Sequence, residues 1–449
     1  MNKRTCLKKI GLIFFSLYIF VLSAGTNIAD AAEPKSDSIP DSLQKYVSRD
    51  EPLFRWNLQE TAATENGTVY RLHLVSQNWH DIVWEHALTV YEPKAIAHPE
   101  HMLLFVTGGS NGRKPGAGDI AVGMKLAELC QARIATLHQV PNQPLLGNRK
   151  EDDLITETWL RYLKTGDDTW PLLFPMVKSA VKAMDALEQF AKSKQWKTPK
   201  GFVITGGSKR GWTSWLTPVA DKRIVGTVPI VIDVLNFSKQ MKHQIATWGK
   251  YSEQIYDYTS KGLMRESGEP ETPREIALWK MMDPYTYRAQ LTLPKLLING
   301  TNDRYWVVDA MKNYWGDLAG PKYILQVPNA GHSLKGGRDL AYATLAAFFR
   351  HRAMQKSLPK LEWTFTNGKS LRLSMTIDQP PLGARLWTAS SSTKDFRQAK
   401  WSSQPIQSDS LKFSASVDEP DSGHVALYGE LLFKVGNLEY SLSTQVFRE

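Results

Sequence analysis

Phe202-Val203-Ile204-Thr205-Gly206-Gly207-Ser208-Lys209-Arg210-Gly211-Trp212 reads as a strand that runs into two glycines and restarts as a helix beyond a serine. A short apolar run bounded by glycine marks a strand buried on both faces. A helix is expected from about Lys209 to Ala220, so Ser208 falls on the turn between the two. In a parallel sheet that turn lies at the carboxyl end of the strand, where such sheets gather their ligands. A serine hydroxyl is a poor nucleophile until a base takes its proton and donors receive the developing oxyanion. The rest of the chain must therefore supply both.

Working outward, strands and helices alternate. Thr68 to Ser76 and His86 to Tyr91 are strand-like, and Met102 to Val106 is an apolar run ending in Thr107-Gly108-Gly109-Ser110. Ala117 to Leu129 has helical periodicity and Ala132 to Leu137 is again strand-like. Trp170 to Lys194 is a long amphipathic helix. Ile224 to Ile232, Leu296 to Gly300 and Tyr323 to Val327 are further strands, and a last helix runs from about Gly337 to Met354. This rhythm predicts a doubly wound, mostly parallel sheet over residues 51–355. Residues of about 236–293 interrupt it with polar, aromatic and largely helical sequence, as expected of a cap over a site. After Met354 short alternating runs separated by turns, Asn367-Gly368 among them, predict an antiparallel β-sandwich over 360–449.

Two further residues sit just past strand ends. Asp303 follows Leu296 to Gly300, and His332 follows Tyr323 to Val327 through Asn329-Ala330-Gly331. Ser208, Asp303 and His332 stand in the chain order of the α/β-hydrolase fold, with a cap insertion between nucleophile and acid. His332 would be the general base and Asp303 would hold its tautomer. Asp233, after Val228 to Ile232, is the rival acid. The oxyanion hole would use the Lys209 N–H and one from Gly109 or Ser110. Trp212, Arg210 and Asp233 are further candidates for contact with substrate.

The turn departs from the general Gly-x-Ser-x-Gly pattern, because Arg210 stands where glycine is usual. Lys209 and Arg210 also place two cations at a helix N-terminus, where the macrodipole disfavours them. A partner is expected for Arg210: an internal carboxylate, such as Glu157 or Asp152, or a substrate carboxylate. Other features carry less chemistry. His73, His80 and His86 lack metal-site spacing, and Gly108 to Gly112 lacks the Lys-Ser/Thr ending of a phosphate loop. No cofactor or metal is expected. Asn66, Asn236 and Asn299 open glycosylation sequons, which matter only in a eukaryotic secretory route.

The 449 residues are 42% hydrophobic, enough for a large domain and a smaller one. Lys3, Arg4, Lys8 and Lys9 precede an apolar run from Ile10 to Ala24, and Ala29-Asp30-Ala31 offers a cleavage site. Residues 1–31 thus read as a signal peptide that leaves no transmembrane span in the mature chain, and 32–50 as a flexible leader. Removal of 1–31 lowers the net charge from +10 to +7. No basic stripe suggests nucleic acid. Cys130 would remain as the single cysteine, a buried thiol without a disulfide partner.

From about Leu43 onward the chain resembles the PhoPQ-activated pathogenicity-related protein family. The resemblance rests on Ser76-Gln77-Asn78-Trp79 with Trp84-Glu85-His86, on Thr107 to Asn111, on Thr156 to Pro171, on Ala183-Met184-Asp185, and on Gly207-Ser208-Lys209-Arg210-Gly211-Trp212. It implies an α/β-hydrolase fold, export and, in some bacteria, expression under an envelope-stress regulator linked to virulence. A secreted eukaryotic relative acts as a signalling protein. The expected function is an exported serine hydrolase acting on a peptide or an ester; the alternative is a hydrolase-like binding or virulence factor.

Overall fold

The alternating apolar runs form the spine of a nine-stranded sheet. It is described by a computed structural model covering residues 39–449 apart from 369, 410 and 419. The signal-peptide reading of residues 1–31, and the leader up to residue 38, lie outside the described residues.

In chain order the elements are α1 (Ser42–Val47), β1 (Arg55–Thr64), β2 (Gly67–Trp79), β3 (Ile82–Pro93), β4 (His101–Val106), α2 (Ala117–Cys130), β5 (Ile134–Leu137), α3 (Glu151–Thr165), α4 (Leu173–Ser193), β6 (Gly201–Gly207), α5 (Lys209–Ala220) and β7 (Ile224–Ile230). The cap holds α6 (Phe237–Trp248), α7 (Tyr256–Thr259) and α8 (Pro273–Met282). β8 (Lys295–Gly300), β9 (Lys322–Val327) and α9 (Arg338–Ala353) complete the domain.

The sheet order is β1-β2-β3-β5-β4-β6-β7-β8-β9. β1, β2, β3 and β5 pair antiparallel, and the strands from β5 to β9 run parallel. From β4 the chain steps outward to β5, then returns to β6 on the other side. The order therefore reverses between β4 and β6, and a doubly wound sheet opens its crevice at that point. This is the α/β-hydrolase fold.

Side chains alternate across the strands and feed two cores. Leu104, Ile204 and Leu297 join the layer that holds α4, α5 and the cap. Leu103, Val203 and Ile298 join the layer that holds α2 and α9. Cys130 is buried in that second layer, and burial pushes its thiol well above the usual range.

The C-terminal strands form two antiparallel sheets. The first is β10 (Leu361–Thr366), β11 (Ser370–Ile377), β15 (Lys412–Asp418) and β14 (Ser408–Asp409), in that order. The second is β13 (Ser402–Pro405), β12 (Gly383–Ser391), β16 (His424–Val435) and β17 (Leu438–Ser443), with β18 (Phe447–Arg448) on β16. β17 lies against β9 and α9, so the sandwich shares the second core. Residues 39–449 form one compact unit.

Two corrections follow. The leader expected to be flexible through residue 50 is helical at Ser42–Val47, because Leu43, Tyr46 and Val47 bury against the first core. Arg55–Thr64, which gave no strand pattern, is an edge strand whose residues are mostly exposed, so no apolar alternation marks it. Among the described residues no helix is long and apolar enough to cross a membrane.

Candidate active site

Ser208 sits between β6 and α5 with φ 56° and ψ −127°, a conformation that non-glycine residues rarely hold. Its N–H donates to the Ile230 carbonyl at 2.8 Å, and its own carbonyl accepts from the Trp212 N–H at 2.9 Å. The glycines around it are steric requirements. A Cβ on Gly206 would lie 2.7 Å from the Arg210 backbone, and one on Gly211 would meet Ile232 at 2.7 Å and the Gly206 carbonyl at 2.8 Å. The small residue usual two places after the serine is thus needed one place later here. Arg210 can occupy the intervening position because its side chain leaves the turn toward the loop after β4.

That side chain is spoken for. Its Nε donates to the Val140 carbonyl, and Nη1 and Nη2 form a bidentate pair with Glu151 at 2.8 Å each. A Cβ on Gly108 would lie 2.4 Å from Nη2, so Gly108 is the slot the guanidinium fills. The partner is thus an internal carboxylate, but neither of the two named as examples. Glu157 instead faces Arg149 and Arg161, and Asp152 lies 3.4 Å from Lys209 Nζ, which also pairs with Glu151 at 2.8 Å. Arg210 is therefore a buried brace and not a surface offered to substrate. Burial works against ionised Glu151, but Arg210 and Lys209 outweigh it and hold its carboxyl well below the usual range. These carboxylates, at the N-terminus of α3, also offset the two cations at the start of α5.

His332 Nδ1 and Asp303 Oδ2 are 2.8 Å apart, while the Tyr305 N–H donates to Asp303 Oδ1 at 2.9 Å. The Tyr305 ring stacks on the imidazole with centroids 4.1 Å apart. Both faces of the arrangement are thus fixed: carboxylate orientation by a backbone donor, ring plane by an aromatic neighbour. With Nδ1 protonated toward Asp303, Nε2 carries the free lone pair. That atom is buried and has no hydrogen-bond partner among the described residues.

Ser208 and His332 line one cavity, together with Asp152, Lys209, Trp212, Phe237, Met241, Ile255, Tyr258, Met264, Tyr305 and Trp306. Ser208 Oγ and His332 Nε2 are not hydrogen-bonded to each other, and catalytic hydrogen bonds commonly tighten when substrate binds. The roof comes from the cap, as the interruption at 236–293 implied. Trp212 lies in the wall and donates its indole N–H to the Met282 carbonyl at 2.7 Å. The polar end is the Lys209–Asp152 pair, to which the Tyr258 hydroxyl donates at 3.2 Å.

Asp233 does not face His332. It accepts a hydrogen bond from the Tyr314 hydroxyl, and burial pushes its carboxyl up to about 7. The Lys209 N–H, first in α5, has no carbonyl four residues back within the helix. Gly109 lines a neighbouring hollow with Arg113, Asp119 and His138, and neither Gly109 nor Ser110 lines the Ser208 cavity. Sequence reasoning missed Glu151, Tyr305 and Tyr258. Tyr305 follows Asp303 by two residues, and Glu151 opens a helix whose periodic Leu154, Ile155, Trp159 and Tyr162 were legible.

The profile of the PhoPQ-activated pathogenicity-related protein family matches residues 43–397. The chain belongs to this family. The family match takes in the whole site, from the Gly108 loop through His332, and runs into the loop after β12. Autocrine proliferation repressor protein A of Dictyostelium discoideum is similar at 31% identity over 440 residues, 89% of this chain and 88% of its own. Among solved structures, similarity extends to acetyl xylan esterase 1 of Thermoanaerobacterium sp., at TM-score 0.47 and 14% identity over 68% of this chain and 92% of that one. An acylaminoacyl peptidase of Pyrococcus horikoshii is similar at TM-score 0.41 and 14% identity, over 66% of this chain and 49% of that one.

Proposed function

We propose that this family member is an exported serine hydrolase that cleaves an ester or amide bond through an acyl-enzyme on Ser208. The observation that carries the reading is His332, bonded to Asp303 through Nδ1 at 2.8 Å with Nε2 buried and free, in the same cavity as Ser208. In the first half-reaction Ser208 Oγ attacks the carbonyl carbon while His332 Nε2 takes its proton. The charge that develops on the carbonyl oxygen faces the Lys209 N–H. Collapse of the tetrahedral intermediate expels an alcohol or amine, which receives the proton from His332. Water then deacylates Ser208 by the same route in reverse.

Trp212, Phe237, Ile255, Met264 and Trp306 give the cavity an apolar, aromatic wall. That lining suits a substrate with an apolar or aromatic group beside the scissile carbonyl, in a peptide or an ester. The apolar run Ile10 to Ala24 supports export, and the family description supports a link to envelope stress or virulence. A panel of activated esters and aminoacyl anilides tests the reading. Turnover by the mature protein that disappears in both Ser208→Ala and His332→Ala supports it, and equal turnover by all three proteins overturns it.

The name of the Dictyostelium relative favours one second reading, a secreted signalling factor on a hydrolase scaffold. Under that reading Ser208→Ala retains the biological effect.

A further inference from the structure

The acid and base loops do not stand on the sheet alone. Asn302 precedes Asp303, and its side-chain Nδ2 donates to the Ala399 carbonyl at 2.7 Å and, more weakly, to those of Phe396 and Arg397 at 3.4 Å. Asn329, three residues before His332, meets Trp401 twice: its Oδ1 accepts from the Trp401 N–H at 2.8 Å, and its Nδ2 donates to the Trp401 carbonyl at 2.9 Å. Thr301 joins the two loops, accepting from the Asn329 N–H at 2.9 Å and donating to Asn302 Oδ1 at 2.8 Å.

Residues 396–401 belong to the connection between β12 and β13 of the sandwich. The same connection also reaches the cap. Arg397 pairs with Glu253 at 3.0 Å and lies over the Trp248 ring at 4.1 Å, while Arg304, next to Asp303, pairs with Glu253 at 2.6 Å. Phe396 and Trp401 anchor it in a small core of their own with Ala389, Ala426, Tyr428 and Val446.

We propose that the 395–401 connection of the sandwich positions the Asp303–His332 pair, with Asn302 and Asn329 as the positioning residues and Arg397 tying the same loop to the cap. The sandwich is then a working part of the site and not an appended module. The physical reason is geometric: loops at strand ends are mobile unless tied down, and a reacting group displaced by about 1 Å can lose on the order of 100-fold in rate. Asn302 ties the acid loop to three carbonyls of the connection, and Asn329 ties the base loop to Trp401, so each loop has its own anchor in the sandwich.

The proposal rests on the hydrolase reading for its catalytic consequence but not for its structural one, and the test separates them. Full-length mature wild type, Asn302→Ala, Asn329→Asp and Leu373→Ala are compared for thermal stability, for the rate of labelling by a fluorophosphonate, and for the low-field imidazole N–H resonance of His332. Leu373 packs in the main sandwich core and not in the cluster that holds Phe396 and Trp401, so its variant controls for lost stability alone. Asn302→Ala is expected to slow labelling about tenfold or more and to shift or broaden the resonance. Asn329→Asp keeps the acceptor for the Trp401 N–H but sets a carboxylate oxygen against the Trp401 carbonyl that Nδ2 served, and should also slow labelling and shift the resonance, whereas Leu373→Ala should lower stability without either change. An unmoved resonance in folded Asn302→Ala overturns the proposal, as does an equal change in Leu373→Ala. If wild type is not labelled at all, the hydrolase reading fails, and the resonance alone decides the positioning role.

Discussion

At Ser208 a strained backbone, held at φ 56° by its neighbours, aims a hydroxyl into the cavity that His332 shares. Asp303 and Asp233 both stand past strand ends in the sequence, and only geometry separates them. Asp303 carries the imidazole and Asp233 carries the Tyr314 hydroxyl. Asp303→Asn should therefore slow fluorophosphonate labelling about a thousandfold or more, whereas Asp233→Asn should label at the wild-type rate. Asp233 also has a pH signature. Burial pushes its carboxyl up to about 7, so its protonated form is the one the fold favours. Its contribution is complete below about pH 4 and lost as pH rises through about 7. Denaturation midpoints should show wild type losing ground to Asp233→Asn across that window. Arg210 has the opposite sign, because its partner Glu151 is held ionised. Arg210→Gln should cost about 1–3 kcal/mol near neutral pH. That cost should shrink as pH falls below about 4, where the unfolded chain takes up the proton while folded Glu151 is still ionised. Urea titrations at pH 7 and pH 3 check both the size and the sign.

Among the elements, α5 and its turn were legible from residue types alone, because Gly206, Ser208 and Gly211 state a steric problem with one solution. Gly206→Ala would push a Cβ to 2.7 Å from the Arg210 backbone, which cannot swing aside as a side-chain tip could. The variant is expected to lose labelling together with a fall in thermal midpoint; a folded, fully labelled Gly206→Ala protein would show that the turn does not need the glycine. β4, β6, β8 and β9 were legible for a related reason: strands buried on both faces leave unbroken apolar runs. β1 left none, since most of its residues are exposed. The pairing of Arg210 with Glu151 joins residues 59 apart across the mouth of the sheet, and no local pattern encodes such a contact. The chain order of Ser208, Asp303 and His332 was readable, but the stacking of Tyr305 on His332 depends on a loop path that only the fold defines.

For the molecule as a whole, the boundary near residue 355 was visible as a change of texture, yet it does not mark separable parts. β17 packs on β9 and α9, and the Gln326 N–H donates to Ser443 Oγ at 3.1 Å. Leu345, Phe348 and Phe349 share a core with sandwich residues such as Leu371 and Leu431. A chain ending at residue 355 exposes that apolar face and should be insoluble or lack a cooperative melting transition; a soluble, cooperatively melting fragment would show the two parts to be independent. The central claim, that this architecture exists to arm Ser208, is tested most directly by treating the mature protein with a fluorophosphonate and mapping the adduct by peptide mass spectrometry. The expected result is a single adduct on the peptide that contains Ser208, absent in Ser208→Ala and in His332→Ala. A wild-type protein that stays unmodified, or an adduct that persists in Ser208→Ala, would contradict it.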